Sequence, residues 1–288
     1  MRLLLAMLVV LFSTSAWAQA KPNIVIVLAD DLSTTNSLVP YSNIQGIKSA
    51  GIEFSNSFVD FSLCCPYRSS LYSGLSAHNT SILDNTNGWN QYKPLESNSL
   101  PVWLKGAGYR TAMIGKYLND YDAAVVPPGW DRWFAFINDP AYFNYSMVDD
   151  GAIVSYGANE ADYSTDVIRD KAVSFIQGTS EPFFVVVAPW AVHGDDASPS
   201  SNAAIPAPRH AHSSQPGAPR SPAFDEVDVS DKPGWVKALP RLSDSVKNSI
   251  DIRFRQVTRT MYAVDEMIGA IKAALGPKLF EGLRRVRG

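Results

Sequence analysis

Cysteine is almost missing from the 288 residues: there are two, and they are neighbours, Cys64 and Cys65. A disulfide framework therefore cannot hold the fold, even in an oxidising compartment, and a bond between adjacent cysteines would be strained. Charge of one sign is also lacking. Lys and Arg number 25 against 28 Asp and Glu, for a formal net charge of −3, so the chain carries no basic nucleic-acid footprint. Beyond the N-terminus no stretch approaches the roughly 18 apolar residues of a membrane-spanning helix. Internal repeats and low-complexity tracts are absent as well. What remains, 46% hydrophobic and 18% charged residues, is the composition of a globular chain held by a packed core.

The first twenty residues read separately. Arg2 precedes an apolar run from Leu3 to Phe12, followed by small-residue sites ending at Ala18 or Ala20. That order is a secretory signal peptide over residues 1–20, cleaved after Ala18 or Ala20, of a chain that is secreted, periplasmic or lysosomal.

Lys21 to Asp31 contains an unbroken β-branched run, expected as a strand buried on both faces with Asp30 and Asp31 at its C-terminal end. Residues 43–50 carry the spacing of a short amphipathic helix capped by Gly51, and Ile52 to Val59 alternates like a strand. A helix over Leu100 to Ala107 leads into a strand from Tyr109 to Lys116, and a helix over Ser164 to Gln177 into a strand from Phe183 to Trp190. Strands alternating with helices predict an α/β fold with a mostly parallel sheet. In such sheets ligands sit at the C-terminal strand ends, so Asp30, Asp31, Lys116 and His193 are expected to converge. The Pro-rich stretch between Gly194 and Trp235 reads as a surface excursion. Ile250 to Leu275 has the strongest helical periodicity, closed by Gly276 and Pro277.

Cys64-Cys65-Pro66-Tyr67-Arg68 stands before a helix start, where the helix dipole and Arg68 would prime a thiol. Two small buried hydrophobes are the alternative. An Asp-Asp pair after a strand is by itself more often a turn or cap, and a lysine at a strand end is usually a solvated charge.

Cys64-x-Pro66-x-Arg68, with Gly74 at the right distance, resembles the signature of the type I sulfatases, with Tyr67 where most members have serine. The resemblance covers Lys21 to about Gly276. It implies a mixed, mostly parallel sheet sandwiched by helices, of the alkaline-phosphatase type, and a partial N-terminal catalytic domain over residues 21–276. Cys64 would be converted to formylglycine by a formylglycine-generating enzyme, with Cys65 a spectator. Asp30 and Asp31 would hold calcium together with residue 64. Gly115-Lys116-Tyr117-Leu118-Asn119 resembles the sulfate-binding Gly-Lys segment of the N-acetylglucosamine-6-sulfatase branch, which makes Lys116 and Asn119 substrate-binding residues. His193 matches by position a histidine that protonates the leaving sugar oxygen. The implied activity is hydrolysis of sulfate esters on a sulfated amino sugar of glycosaminoglycan type, with Cys64, Arg68, Lys116 and His193 as catalytic residues. In that family a further strand ending Asp-Asn-Gly follows the long helix and completes the calcium site. Here the sequence continues instead as a basic tail, 277–288, so the fold is expected to be incomplete at its C-terminus and a sulfated-glycan-binding protein without turnover is an alternative. A phosphoryl-transfer enzyme of the wider fold would use Ser or Thr as nucleophile and would not need Cys-x-Pro-x-Arg.

Overall fold

The computed structural model describes residues 21–33, 37–180, 182–198 and 202–276; the signal peptide and basic tail expected from the sequence lie outside them. In chain order the elements are β1 (Ile24–Val27), α1 (Ser42–Ala50), α2 (Cys64–Ser73), α3 (Ala77–Thr80), α4 (Gly88–Tyr92), α5 (Leu100–Gly106), β2 (Arg110–Gly115), β3 (Arg132–Phe136), β4 (Ser146–Asp149), β5 (Ala152–Ser155), α6 (Ser164–Gln177), β6 (Phe183–Ala188), α7 (Gly234–Lys237) and α8 (Asp244–Leu275). The strands form one sheet in the order β1-β6-β2-β3-β4-β5. β1, β6, β2 and β3 run parallel, while β4 and β5 are added antiparallel. The mixed, mostly parallel sheet read from the sequence is the one observed.

Strand periodicity divides the interior into two cores. Ala112, Ile114, Phe134, Val185 and Val187 face one side and pack with Ile168, Ala172, Met261, Val264 and Met267 of α6 and α8. Met113, Trp133, Ala135, Phe184 and Val186 face the other and pack with Cys65, Tyr72, Trp89 and Tyr92 of α2 and α4. The sheet is thus sandwiched by helices, as expected. β6 is fully buried because it is central.

Three expectations are corrected. β1 is only half-buried, because β6 is its one sheet neighbour among the described residues. Ile52 to Val59 alternates but forms no strand. Alternation supplies a face, not a ladder partner, and none lies beside it among the described residues; Phe54 and Phe58 are 77% and 88% exposed. The Pro-rich stretch is not all surface. Ala203, Ala204 and Ala207 are buried, and Arg209 clamps the stretch to α6 and α8 through Asp166 (2.6 Å) and Glu266 (2.5 Å). α8 also begins earlier than its apolar pattern, because Ser243 caps it by accepting from the Val246 amide.

β1, β6 and β2 are parallel neighbours, so their C-terminal ends lie side by side. Backbone bonds continue past them: the Asp30 amide donates to Ala191 O (2.9 Å), the Val192 amide to Asp30 O (2.9 Å), and the Lys116 amide to Ala188 O (2.7 Å). Gly115, at φ +117°, makes the last approach possible, since a Cβ there would meet Ala188 O at 2.0 Å. Gly115→Ala combines a strained φ with a backbone clash and is expected to cost more than about 3 kcal/mol in urea denaturation; a variant as stable as the parent would contradict this packing.

Candidate active site

α2 starts at Cys64 itself, after Leu63, and ends at Gly74 in the left-handed region. Cys64 and Arg68 are four residues apart and share a face of the helix. Cys65 points elsewhere. Its amide donates to Asn85 Oδ1 (3.0 Å) and its sulfur receives the Asn119 amide (3.2 Å). A Cβ at residue 88 would lie 2.1 Å from that sulfur, so Gly88 leaves the room it occupies. Burial pushes the Cys65 thiol up to about 11.

Asp30 is the hub of the site. It is 5% exposed, against 1% for each of Arg68 and Lys116. Its Oδ2 accepts from Lys116 Nζ at 2.5 Å and its Oδ1 from Arg68 at 3.2 Å. Arg68 also donates to Lys116 O at 2.6 Å. Burial alone would raise the Asp30 carboxyl, but Arg68 and then Lys116 outweigh it and hold it below the usual value. Burial disfavours the Arg68 guanidinium, yet Asp30 keeps it above its ordinary value. One carboxylate against two cations leaves this buried group with a net positive charge, a setting that favours an anion.

Cys64 Sγ lies 3.8 Å from Asp30 Oδ1. A cavity of about 240 Å³ opens there, lined by Asp30, Asp31, Cys64, Tyr67, Arg68 and Phe61 among others. The thiol is not primed by the helix end as the sequence implied: burial pushes it above its ordinary value, Lys116 offsets part of this and Asp30 adds to it. Asp31, at φ +57°, turns its carboxylate towards His193, whose Nε2 is 3.4 Å from Asp31 Oδ2. His193 Nδ1 is 2.7 Å from Gly194 O, which can only accept, so Nδ1 carries the proton.

Convergence of Asp30, Asp31, Cys64, Arg68, Lys116 and His193 at the strand ends is therefore what the structure holds. Asn119 sits apart from them, its Oδ1 3.5 Å from the sulfur of Cys65 rather than beside Cys64. Two contributors were not evident in the sequence. Trp190 carries the Lys116 ammonium 4.5 Å from its ring centroid on one contact and stacks on His193 at 3.7 Å on another; its place just past the β6 strand end was the available signal. Buried Glu96 accepts from Trp89 Nε1 (2.8 Å) and Tyr117 OH (3.2 Å), bracing the residue next to Lys116.

The sulfatase family model matches residues 22–278. The chain belongs to the sulfatase family. It is 33% identical over 294 residues to an arylsulfatase of Volvox carteri, covering 91% of this chain and 45% of that protein. To the N-acetylglucosamine-6-sulfatase of Capra hircus it is 31% identical over 277 residues, covering 89% and 48%. A solved protein in complex with its substrate D-glucosamine-2-N,6-O-disulfate shares the fold, with a TM-score of 0.60 at 21% identity over 88% of this chain and 62% of that one. The chain thus spans about half the length of these two curated sulfatases.

Two outcomes follow from the charges. Asp30→Asn leaves two buried cations without their counter-ion and is expected to cost about 3–5 kcal/mol in urea denaturation; an unchanged midpoint would mean the cations are not held this way. Because the Cys64 thiol is raised, its alkylation by iodoacetamide should be slow at neutral pH and accelerate only above the range where a free cysteine already reacts. Fast labelling at pH 7 would contradict the burial argument.

Proposed function

We propose that this sulfatase-family chain serves hydrolysis of sulfate esters on a sulfated amino sugar of the glycosaminoglycan type, with the 6-O-sulfate of N-acetylglucosamine as substrate. The observation that carries the reading is the buried Asp30–Arg68–Lys116 group with its excess positive charge, placed against Cys64 at a helix start. Its likeness to N-acetylglucosamine-6-sulfatases supports the choice of sugar.

In this reading a formylglycine-generating enzyme oxidises Cys64, and hydrated formylglycine there supplies an oxygen nucleophile for sulfur and a second hydroxyl that lets sulfate go. Cys65 stays a thiol, locked by Asn119 and Gly88. Arg68 and Lys116 neutralise the charge that grows on the sulfuryl oxygens, and Asp30 keeps both side chains in place. His193 holds a proton on Nδ1 through Gly194 O, and its Nε2 lies beside Asp31, which lines the cavity; in this reading an imidazolium proton passes from that atom to the leaving sugar oxygen. Stacking on Trp190 fixes the ring.

Calcium fits part of this donor set. Asp30 and Asp31 line the same cavity as residue 64, and carboxylate oxygens are what a hard cation takes. These two residues and an oxygenated residue 64 would hold it, and the ion would draw charge from the sulfuryl oxygens. These three residues would supply part of the six to eight oxygens usual for calcium.

Export through residues 1–20 is part of the same proposal, and among the described residues no helix is long and apolar enough to cross a membrane. The test is sulfate release from N-acetylglucosamine-6-sulfate by the full chain co-expressed with a formylglycine-generating enzyme. Turnover should vanish in Cys64→Ala, persist in Cys65→Ala, and fall by about 10²–10³-fold in Lys116→Ala. Activity that survives Cys64→Ala would refute the mechanism; sugar binding without any sulfate release would favour a glycan-binding role.

A further inference from the structure

The cavity beside Cys64 is lined in two ways. Asp30, Asp31 and Arg68 supply charge, while Val59, Phe61, Leu63 and Tyr67 supply apolar surface. A sulfate group accounts for the charged part alone. Val59 and Phe61 are 53% and 37% exposed and, like Tyr67, belong to neither core, so their apolar surface is a contact surface with no partner in the fold. At about 240 Å³ the cavity falls below the roughly 300–1,000 Å³ of sites for drug-sized ligands. A single ring at a time meets this surface.

Tyr67 is placed by its helix. It follows Cys64 by three residues and precedes Arg68, so it lies on their side of α2. Helical side chains lean towards the N-terminus, which carries the Tyr67 ring back over the turn of Cys64. Packing does not account for it. Tyr72 on the same helix lies among Tyr92, Tyr117 and Trp130, whereas among the described residues no ring pairs with Tyr67 and its hydroxyl has no hydrogen-bond partner. Tyr67 is also where the chain departs from the usual serine of the Cys-x-Pro-x-Arg signature, so its contact belongs to this chain and not to the signature.

We infer that Tyr67 is a specificity-determining residue: with Phe61 and Val59 it packs against the ring of the alcohol that carries the sulfate, and its hydroxyl bonds a polar substituent of that ring. An aromatic side chain offers a broad apolar face and a polar tip, the combination that a pyranose, apolar on its C–H face and polar at its edge, requires. The surface thus selects ring esters over acyclic alkyl sulfates. A plain aryl ester meets the ring of Tyr67 but gives its hydroxyl nothing to bond. The inference rests on the sulfate-ester reading of the cavity and adds which part of the substrate this chain recognises.

The full chain, co-expressed with a formylglycine-generating enzyme, is assayed with N-acetylglucosamine-6-sulfate and with phenyl sulfate, rates being taken per aldehyde, and ethyl sulfate is added as an acyclic inhibitor. Tyr67→Ala should raise KM for both ring esters about tenfold, with kcat within about twofold and ethyl sulfate inhibition unchanged. Tyr67→Phe should keep the KM for phenyl sulfate and raise that for the sugar about 3- to 10-fold. Phe61→Ser, in the segment before α2, should act in the same direction as Tyr67→Ala. Equal urea midpoints establish that the variants fold. Unchanged KM values in Tyr67→Ala, a fall in kcat alone, or an equal loss of ethyl sulfate inhibition overturns the inference and leaves the proposed function standing. If the parent releases no sulfate from any ester, the proposed function fails and calorimetry decides the inference by itself: N-acetylglucosamine-6-sulfate bound about tenfold more tightly than inorganic sulfate, with Tyr67→Ala removing that margin, upholds it, and the absence of a margin overturns it.

Discussion

A single buried carboxylate organises this molecule. Asp30 lies at the end of the half-buried strand β1, yet it is the counter-ion for two side chains that could not otherwise be buried, Arg68 from α2 and Lys116 from the end of β2. Desolvating three ionised groups is costly, and the cost is met only when the geometry satisfies them together. Here it does so with a surplus of positive charge. The surplus gives an anion a reason to enter the adjoining cavity, and the same contacts fix the helix start that carries Cys64.

Everything that brings these groups together comes from the parallel sheet. β1, β6 and β2 are adjacent and run the same way, so three chain segments distant in sequence end at one place. Gly115 lets β2 pass close to Ala188, and the bonds from Asp30 to residues 191 and 192 tie the loop of His193 to the same spot. Behind Lys116, Glu96 and the ring cluster of Tyr72, Tyr92, Tyr117 and Trp133 fill the second core. In the proposed mechanism activity would draw on the same buried charges as stability, so changes at Asp30 would affect both.

Much of this was legible from residue pattern. The strand at Phe183 to Ala188, the helix at Ser164 to Gln177 and the site residues at the strand ends could be read because apolar period and strand-end position are local signals. β3, β4 and β5 were not read: at four or five residues each they are too short for alternation to stand out, even though β4 and β5 pair as a tight hairpin across Asp150 and Gly151. Residues 52–59 failed for the complementary reason, having alternation without a partner. At the site, the types of residue were readable but not their state. No motif states that Cys64 is buried enough to raise its thiol, that Asn119 turns towards Cys65, or that Trp190 lies against both Lys116 and His193. Those facts depend on packing between elements, which one sequence encodes only indirectly.

The central claim, that residue 64 is the position where this chain acquires its nucleophile, is tested most directly by mass spectrometry of the peptide containing residues 64 and 65 from chain co-expressed with a formylglycine-generating enzyme. The account predicts an aldehyde at residue 64, trapped by a hydrazide, and an intact thiol at residue 65. Two unmodified thiols, or conversion at residue 65 instead, would contradict it.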